Sequence, residues 1–345
     1  VDIISVGEAE KSFVELCEKI KQKEDYTHIP NLWIKQGGVV HKNPLGNLIQ
    51  LDELPFQDWE IFDHRRIYKP MSGNIGRTGC FELTRGCVYS CTFCINEMLN
   101  AVHKHKSYRE KSIPRFIDEV AYFKNRYGLE YVYILAEMFL PTSKERVRAF
   151  SRLWKEKVGL PFWCQVRVEG VDEENARLLE EAGCVSVSAG IESGSEEFRR
   201  RTLHRAMSNE HLVKDFRWLK NTKMQVSANS IIGFPGETRE LIFETIEINR
   251  AADPDNIMIH VFNPYRGTSL YEISVREGYI PADHLAGDYR ADFTLNMPQL
   301  SQQEVLGLHR TFSLYCKFPK EMWPEIRIAE KFDEEGNKKF EELSA

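Results

Sequence analysis

Cys87, Cys91 and Cys94 stand in the spacing C-x3-C-x2-C, directly after a short strand-like run at residues 80–84. Three thiolates packed this closely can hold three irons of a 4Fe–4S cube and leave the fourth iron without a protein ligand. Such an iron can bind a small molecule, whereas a fully ligated cluster mostly carries electrons. A structural zinc ion competes for the same residues. It takes four ligands, often as two C-x2-C pairs, but Cys164, Cys184 and Cys316 are scattered singly, which leaves His103 and His105 to complete a site. A disulfide framework fits worse: the chain is long, shows no signal peptide, and its cysteines do not recur in pairs.

The elements that must position these thiols follow from periodicity. Apolar strand patterns fall at residues 80–84, 131–135, 162–168, 185–190, 225–232 and 257–262. Amphipathic helical patterns alternate with them at 113–127, 143–158, 173–182, 209–220 and 237–252. Short apolar strands separated by longer helices predict a parallel α/β sheet with helices outside, best closed as a partial (β/α)6 TIM-like barrel. In such a barrel the loops after the strand C-termini form the active face, and the cysteines follow the first strand.

Before this core, residues 1–6 read as a buried strand and 12–23 as a helix with Phe13, Leu16, Cys17 and Ile20 on one face. Strand, glycine and helix make half of a βαβ unit, the expected remnant of a doubly wound domain whose first strands are absent. A hairpin follows around Gly37-Gly38, then an ordered linker at 51–63 anchored by Pro55, Phe56 and Trp59. After residue 280 a helix is predicted over 301–315, and the charged residues 331–345 read as a frayed end. The expected division is 1–65, 66–280 and a small, mostly helical segment at 281–345.

Composition bounds the function. The 345 residues are 42% hydrophobic and 28% charged, an ordinary globular balance able to bury a large core. No apolar run reaches the roughly 18 residues of a membrane span. The net charge of −6 argues against bulk nucleic-acid binding. Eight cysteines without a secretion signal point to a reducing, cytoplasmic setting. The basic run from His103 to Arg109 reads as a solvated loop, or else as a contact for an anionic substrate, a reductase or the corrinoid.

The cysteine triad with Phe93 inside it, followed by this βα series, resembles the radical S-adenosylmethionine (SAM) enzymes. Thr84-Arg85-Gly86-Cys87, Ala189-Gly190-Ile191-Glu192-Ser193-Gly194, Gly233-Phe234-Pro235-Gly236-Glu237-Thr238 and Pro264-Tyr265-Arg266-Gly267-Thr268 are similar to the cobalamin-binding class. The Asp-x-His-x-x-Gly signature of its cobalamin domain is not present in this sequence. The resemblance implies a 4Fe–4S cluster on Cys87, Cys91 and Cys94, with SAM chelating the open iron and cobalamin not held by this chain alone. It implies SAM contacts from Phe93, Glu137, Arg167, Glu192, Ser193, Ile232, Gly233, Phe234 and Tyr265, a small-molecule substrate, and a flavodoxin- or ferredoxin-type electron donor. Ala136 stands where an acid is usual, leaving Glu137. The implied reaction is methyl transfer, with oxidative cyclisation or rearrangement as the alternative. From a different class, a non-catalytic iron–sulfur or zinc protein uses the same cysteines. No catalytic residue beyond the cofactor ligands can be assigned.

Overall fold

Side chains that alternate between apolar and polar along a strand bury one face and leave the other for a ligand or solvent. That rule organises this chain. A computed structural model describes all residues except 72–73, 105–106, 140–142, 289 and 291. The chain forms two compact units, Val1–Gln57 and Asp58–Ala345.

In the first unit, β1 (Ile3–Ser5) leads to α1 (Glu10–Gln22), then to the hairpin β2 (Leu32–Gln36) and β3 (Val39–Lys42). β1 pairs antiparallel with β2, placing Ile3 opposite Ile34. Gly37 and Gly38 turn the hairpin with φ of 58° and 84°, a conformation that suits glycine. Leu16, Ile29, Leu32 and Ile34 make a small core. Of the expected apolar face of α1 only Leu16 is buried; Cys17 is exposed, and Phe13 and Ile20 are 60% and 52% exposed.

The second unit begins with β4 (Tyr68–Met71), β5 (Asn74–Glu82) and the short β6 (Thr84–Arg85), followed by α2 (Ile95–Val102) and β7 (Arg109–Glu110). The regular series continues with α3 (Ile113–Tyr127), β8 (Tyr131–Leu135), α4 (Lys144–Leu153), β9 (Phe162–Val166), α5 (Glu173–Ala182) and β10 (Cys184–Glu192). Then come α6 (Glu196–Arg201), α7 (Asn209–Lys220), β11 (Gln225–Ile232), α8 (Arg239–Ala252), β12 (Asn256–Val261) and α9 (Ser269–Arg276). The chain ends with α10 (Gln302–Lys317), α11 (Trp323–Ala329) and α12 (Glu334–Ser344).

The main sheet runs β12-β11-β10-β9-β8-β5-β4, and every pair in it is parallel except β4 with β5. Curled on itself, it is the expected partial barrel, with β4 as an added antiparallel edge. Its outer face is fully buried under the helices through Phe81, Val132, Ile134, Phe162, Cys164, Val187, Val226 and Ala228. Trp59 of the expected linker packs there against Phe123, ring centroids 4.3 Å apart. The opposite face carries Tyr133, Trp163, Gln165, Ser188 and Asn229, a far more polar set. Tyr133 and Trp163 stack with centroids 4.0 Å apart, and Asn229 Nδ2 donates to Ser188 Oγ at 2.9 Å.

Caps set most boundaries. Ser112, Asp172, Ser208 and Thr238 accept N–H groups in the first turns of α3, α5, α7 and α8. Thr238 is why α8 starts after Glu237, which turns inward instead. The expected helix at 143–158 is α4 continued by a single π turn at Trp154–Val158, with Trp154 Nε1 donating to Leu160 O at 2.9 Å. The last residues are not frayed. Asp333 caps α12, and Arg310 lies over the Phe340 ring at 4.2 Å while donating to Asn337. Arg250 donates to three backbone carbonyls at the end of α10, those of Tyr315, Cys316 and Phe318.

Gly194, after β10, packs against α8 so closely that a Cβ would run into the backbone of Glu244 and Thr245. Gly194→Ala is expected to destabilise the protein by about 2 kcal/mol or more, read as a lower urea midpoint with unchanged slope.

Candidate active site

The cysteine loop is fixed by contacts that its own sequence hardly announces. Gly86 has φ of 73°, and a Cβ there would sit 2.5 Å from the Ser107 carbonyl oxygen. Only glycine lets β6 pass β7 and deliver Cys87. Asn100 on α2 donates to Cys87 O and Tyr89 O, each at 3.0 Å, and accepts from Ser107 Oγ. The Cys94 N–H donates to Cys91 O at 3.0 Å, and Cys94 is the N-cap of α2.

Each thiol faces at least one N–H donor. The Tyr89 N–H lies 3.5 Å from Cys87 Sγ, Arg167 Nη1 lies 3.5 Å from Cys91 Sγ, and Asn96 Nδ2 lies 3.7 Å from Cys94 Sγ. Donors around sulfur favour thiolates, the form in which cysteine ligates metal. Burial acts in the opposite sense, raising the Cys87 thiol and pushing Cys94 up to about 11. Among the described residues no three His, Cys, Asp or Glu side chains converge to hold a single metal ion. His105, one of the two residues that would complete a zinc site, lies outside the described residues, as does Lys106 of the basic run.

Behind Cys91 runs a chain of alternating charges. Arg167, at the end of β9, also lies 3.6 Å from the Tyr89 ring centroid, and its Nη2 pairs with Glu169 at 2.8 Å. Arg205 grips Glu169 through Nε at 3.0 Å and Nη2 at 2.9 Å. It also reaches Glu192 at 3.0 Å and the Gly190 carbonyl at 2.9 Å. The two carboxylates of Arg205 titrate in opposite directions. Burial raises Glu169, but the charge and hydrogen bonds of Arg205, with Arg167 beyond, win and hold it near 2. Glu192 accepts one such bond and is pushed up by burial. The bidentate partner is the committed carboxylate, and Glu192 is the one left closer to neutrality.

The other expected contacts divide into those at the open mouth and those within the core. Glu137 is exposed after β8 and accepts from Asn96 Nδ2 at 3.1 Å. Glu192 takes the left-handed conformation, φ 66°. Ser193 is fully buried with no partner for its hydroxyl; Ser195, not Ser193, is the N-cap of α6. Tyr265 is 39% exposed. Phe93 lies edge-on to Phe234, centroids 5.6 Å apart, while Ile232 and Phe234 are fully buried. The direction a Cβ would take at Gly233 is filled by the Phe293 ring. The turn after β11 therefore has only its backbone to offer a ligand.

Glu237 holds that turn. Its Oε2 accepts the Gly233 N–H at 2.5 Å and the Phe234 N–H at 3.1 Å, and its other oxygen is buried without a partner. Burial raises its pKa to about 8 despite those bonds. Beside the cysteine loop, a cavity of about 310 Å³ opens at the strand ends, lined by Glu82, Thr84, Tyr133, Leu135, Glu137, Trp163 and Gln165. The Thr84 hydroxyl there is buried and unpartnered. Sequence reading missed Asn96, Asn100, Glu169, Arg205 and Glu237 as site-builders. Their partners lie on other elements or in the backbone, so only the Glu237 position inside a quoted motif carried any signal.

Residues 81–248 match the radical SAM superfamily. An uncharacterized methyltransferase of Pyrococcus horikoshii is 25% identical over 339 residues, covering 97% of this chain and 71% of that one. The cytidylyl-2-hydroxyethylphosphonate methyltransferase of Streptomyces wedmorensis is 24% identical over 276 residues, covering 75% of this chain and 50% of that one. Among solved structures, the cobalamin-dependent SAM radical enzyme OxsB, with aqua-cobalamin and SAM bound, superposes with TM-score 0.68 at 13% identity. That match covers 99% of this chain and 54% of OxsB, and it speaks for the fold. The chain thus spans about half the length of the last two proteins.

Arg205→Met leaves Glu192 buried without its cation and Glu169 with Arg167 alone, and is expected to cost about 3–5 kcal/mol in denaturant unfolding. Glu237 gives a pH signature. Its folded pKa of about 8 lies above the unfolded value, so between about pH 5 and 8 the folded state binds the extra proton and stability falls as pH rises. Glu237→Gln is expected to flatten that slope and to gain on the order of 3 kcal/mol over the parent at pH 8.

Proposed function

We propose, for a chain whose residues 81–248 are a radical SAM domain, that it reductively cleaves S-adenosylmethionine to make a substrate radical, and that the outcome is methyl transfer. The observation that carries this reading is the set of three thiols, each facing an N–H donor, at the C-terminal end of the first parallel strand. A 4Fe–4S cluster bound there would supply the electron that breaks a carbon–sulfur bond of SAM, yielding methionine and a 5′-deoxyadenosyl radical.

The residues fit that group. Cys87, Cys91 and Cys94 would hold it, and the buried, unpartnered Arg167 Nε and Ser193 hydroxyl await ligand partners. Glu137 would accept from the SAM amino group, and Arg167 would pair with its carboxylate. Glu192 and Ser193 would meet the ribose hydroxyls. The backbone at Ile232, Gly233 and Phe234, held by Glu237, would border the adenine, with Phe93 and Tyr265 excluding water from either side. A small-molecule substrate would enter the cavity between Leu135 and Gln165, and a low-potential donor of the flavodoxin or ferredoxin class would deliver the electron. A reducing cytoplasm suits such a cluster.

Methyl transfer is favoured because the two relatives described above carry that activity in their names, while more distant relatives named as magnesium-protoporphyrin IX monomethyl ester cyclases keep ring closure as the alternative. Cobalamin is a different matter. The first unit offers a three-stranded antiparallel sheet and one helix, and the chain has no Asp-x-His-x-x-Gly run. Cobalamin, bound in the structure of OxsB, would serve the methyl transfer here without being held by this chain alone.

Anaerobic reconstitution with iron and sulfide tests the reading. The protein is expected to take up about four irons per chain and, once reduced, to turn SAM into 5′-deoxyadenosine. Cys91→Ala is expected to lose that cleavage entirely. Cleavage retained by Cys91→Ala would overturn the ligand assignment, and stable zinc without SAM cleavage would overturn the function. S-adenosylhomocysteine formed with a methylated product supports methyl transfer; its absence beside a dehydrogenated or ring-closed product supports the alternative.

A further inference from the structure

Asn96 is the second residue of α2 and is 3% exposed. Its Nδ2 reaches Cys94 Sγ at 3.7 Å and Glu137 Oε2 at 3.1 Å, so one amide touches the third thiol and the end of the second parallel strand. Its Oδ1 is buried and has no partner among the described residues. A buried amide oxygen left without a donor costs on the order of 1–3 kcal/mol unless something supplies one. Glu137 itself is exposed, so this amide holds a carboxylate that solvent would otherwise leave free to move.

We propose that Asn96 is a positioning residue that couples the SAM amino-group site to the cluster: its Nδ2 fixes Glu137 and donates to the Cys94 thiolate, and its Oδ1 accepts from an N–H of the SAM amino group. This rests on the radical SAM reading above. An N–H donor to a ligating sulfur withdraws electron density and favours the reduced cluster. A ligand that engages Glu137 and Oδ1 shares this amide with Cys94. Binding at the amino-group site therefore changes the donor seen by the sulfur, and reduction in turn changes affinity at that site, as reciprocity requires. The pairing explains why a polar side chain is buried where α2 begins. It also identifies a residue that acts through Cys94 and Glu137 and not on the substrate.

Asn96→Ala removes both bonds, and Asn96→Leu keeps the size of the side chain while supplying neither donor nor acceptor. The full chain, reconstituted anaerobically, is compared with both variants by midpoint potential and by the electron paramagnetic resonance spectrum of the reduced cluster, each with and without SAM. The expected result is full iron content, a more negative potential, a smaller SAM-induced change, and SAM binding about tenfold weaker, the equivalent of one charge-assisted hydrogen bond. Unchanged potential and an unchanged SAM response in either iron-loaded variant would overturn the proposal. Loss of iron from both variants, with Cys87, Cys91 and Cys94 intact, would also overturn it, because Asn96 would then serve only the fold. A parent protein whose cluster ignores SAM would instead sink the radical SAM reading itself.

Discussion

The site depends on a run of charges that no single strand could support. Arg167, Glu169, Arg205 and Glu192 alternate in sign from the Cys91 sulfur to the end of β10, and Arg205 is 3% exposed. Removing one member exposes its neighbours to an interior that cannot solvate them, whereas the complete chain is compensated along its length. That mutual dependence fixes the ends of β9 and β10 and the turn that returns through residue 205. The SAM-facing candidates Arg167 and Glu192 are its two ends. One set of contacts thus serves the fold and orients the ligand groups.

The sheet supplies the frame. Large apolar residues fill its outer face, so packing sets the curvature of the half-barrel, while the inner face carries uncharged polar and aromatic groups. The helix caps, the π turn at Trp154 and the Arg250 clamp on α10 hold the outer layer without touching the site. The loops at the strand C-termini are consequently free to specialise. The Gly86 close approach, the Asn100 bonds to the cysteine loop and the Glu237 clamp on the turn after β11 are three separate uses of that freedom.

Much of this was legible in the sequence because it depends on short-range pattern. Strands 131–135 and 225–232 and helices 113–127, 173–182 and 209–220 carry strong periodicity and clear caps, and they occur at the expected bounds. The triad was legible because ligand spacing is a local constraint. What escaped is long-range. Glu169 and Arg205 are 36 residues apart, Asn96 and Glu137 are 41 apart, and nothing local to either member marks such a pair. The end of the chain misled for a related reason: the charged run after residue 331 looks disordered until Arg310 stacks on Phe340 and Asp333 caps the helix. In the first unit, periodicity alone placed Phe13 and Ile20 on a covered face that this unit does not cover.

The central claim is that three thiols leave one iron of a cluster open to SAM. Mössbauer spectroscopy of protein reconstituted with iron-57, recorded before and after SAM is added, tests it most directly. The account predicts that a single iron site of the cluster changes its isomer shift as it gains nitrogen and oxygen ligands, while the thiolate-ligated irons stay as they were. A spectrum that SAM leaves unchanged, or one in which every iron shifts alike, would contradict it.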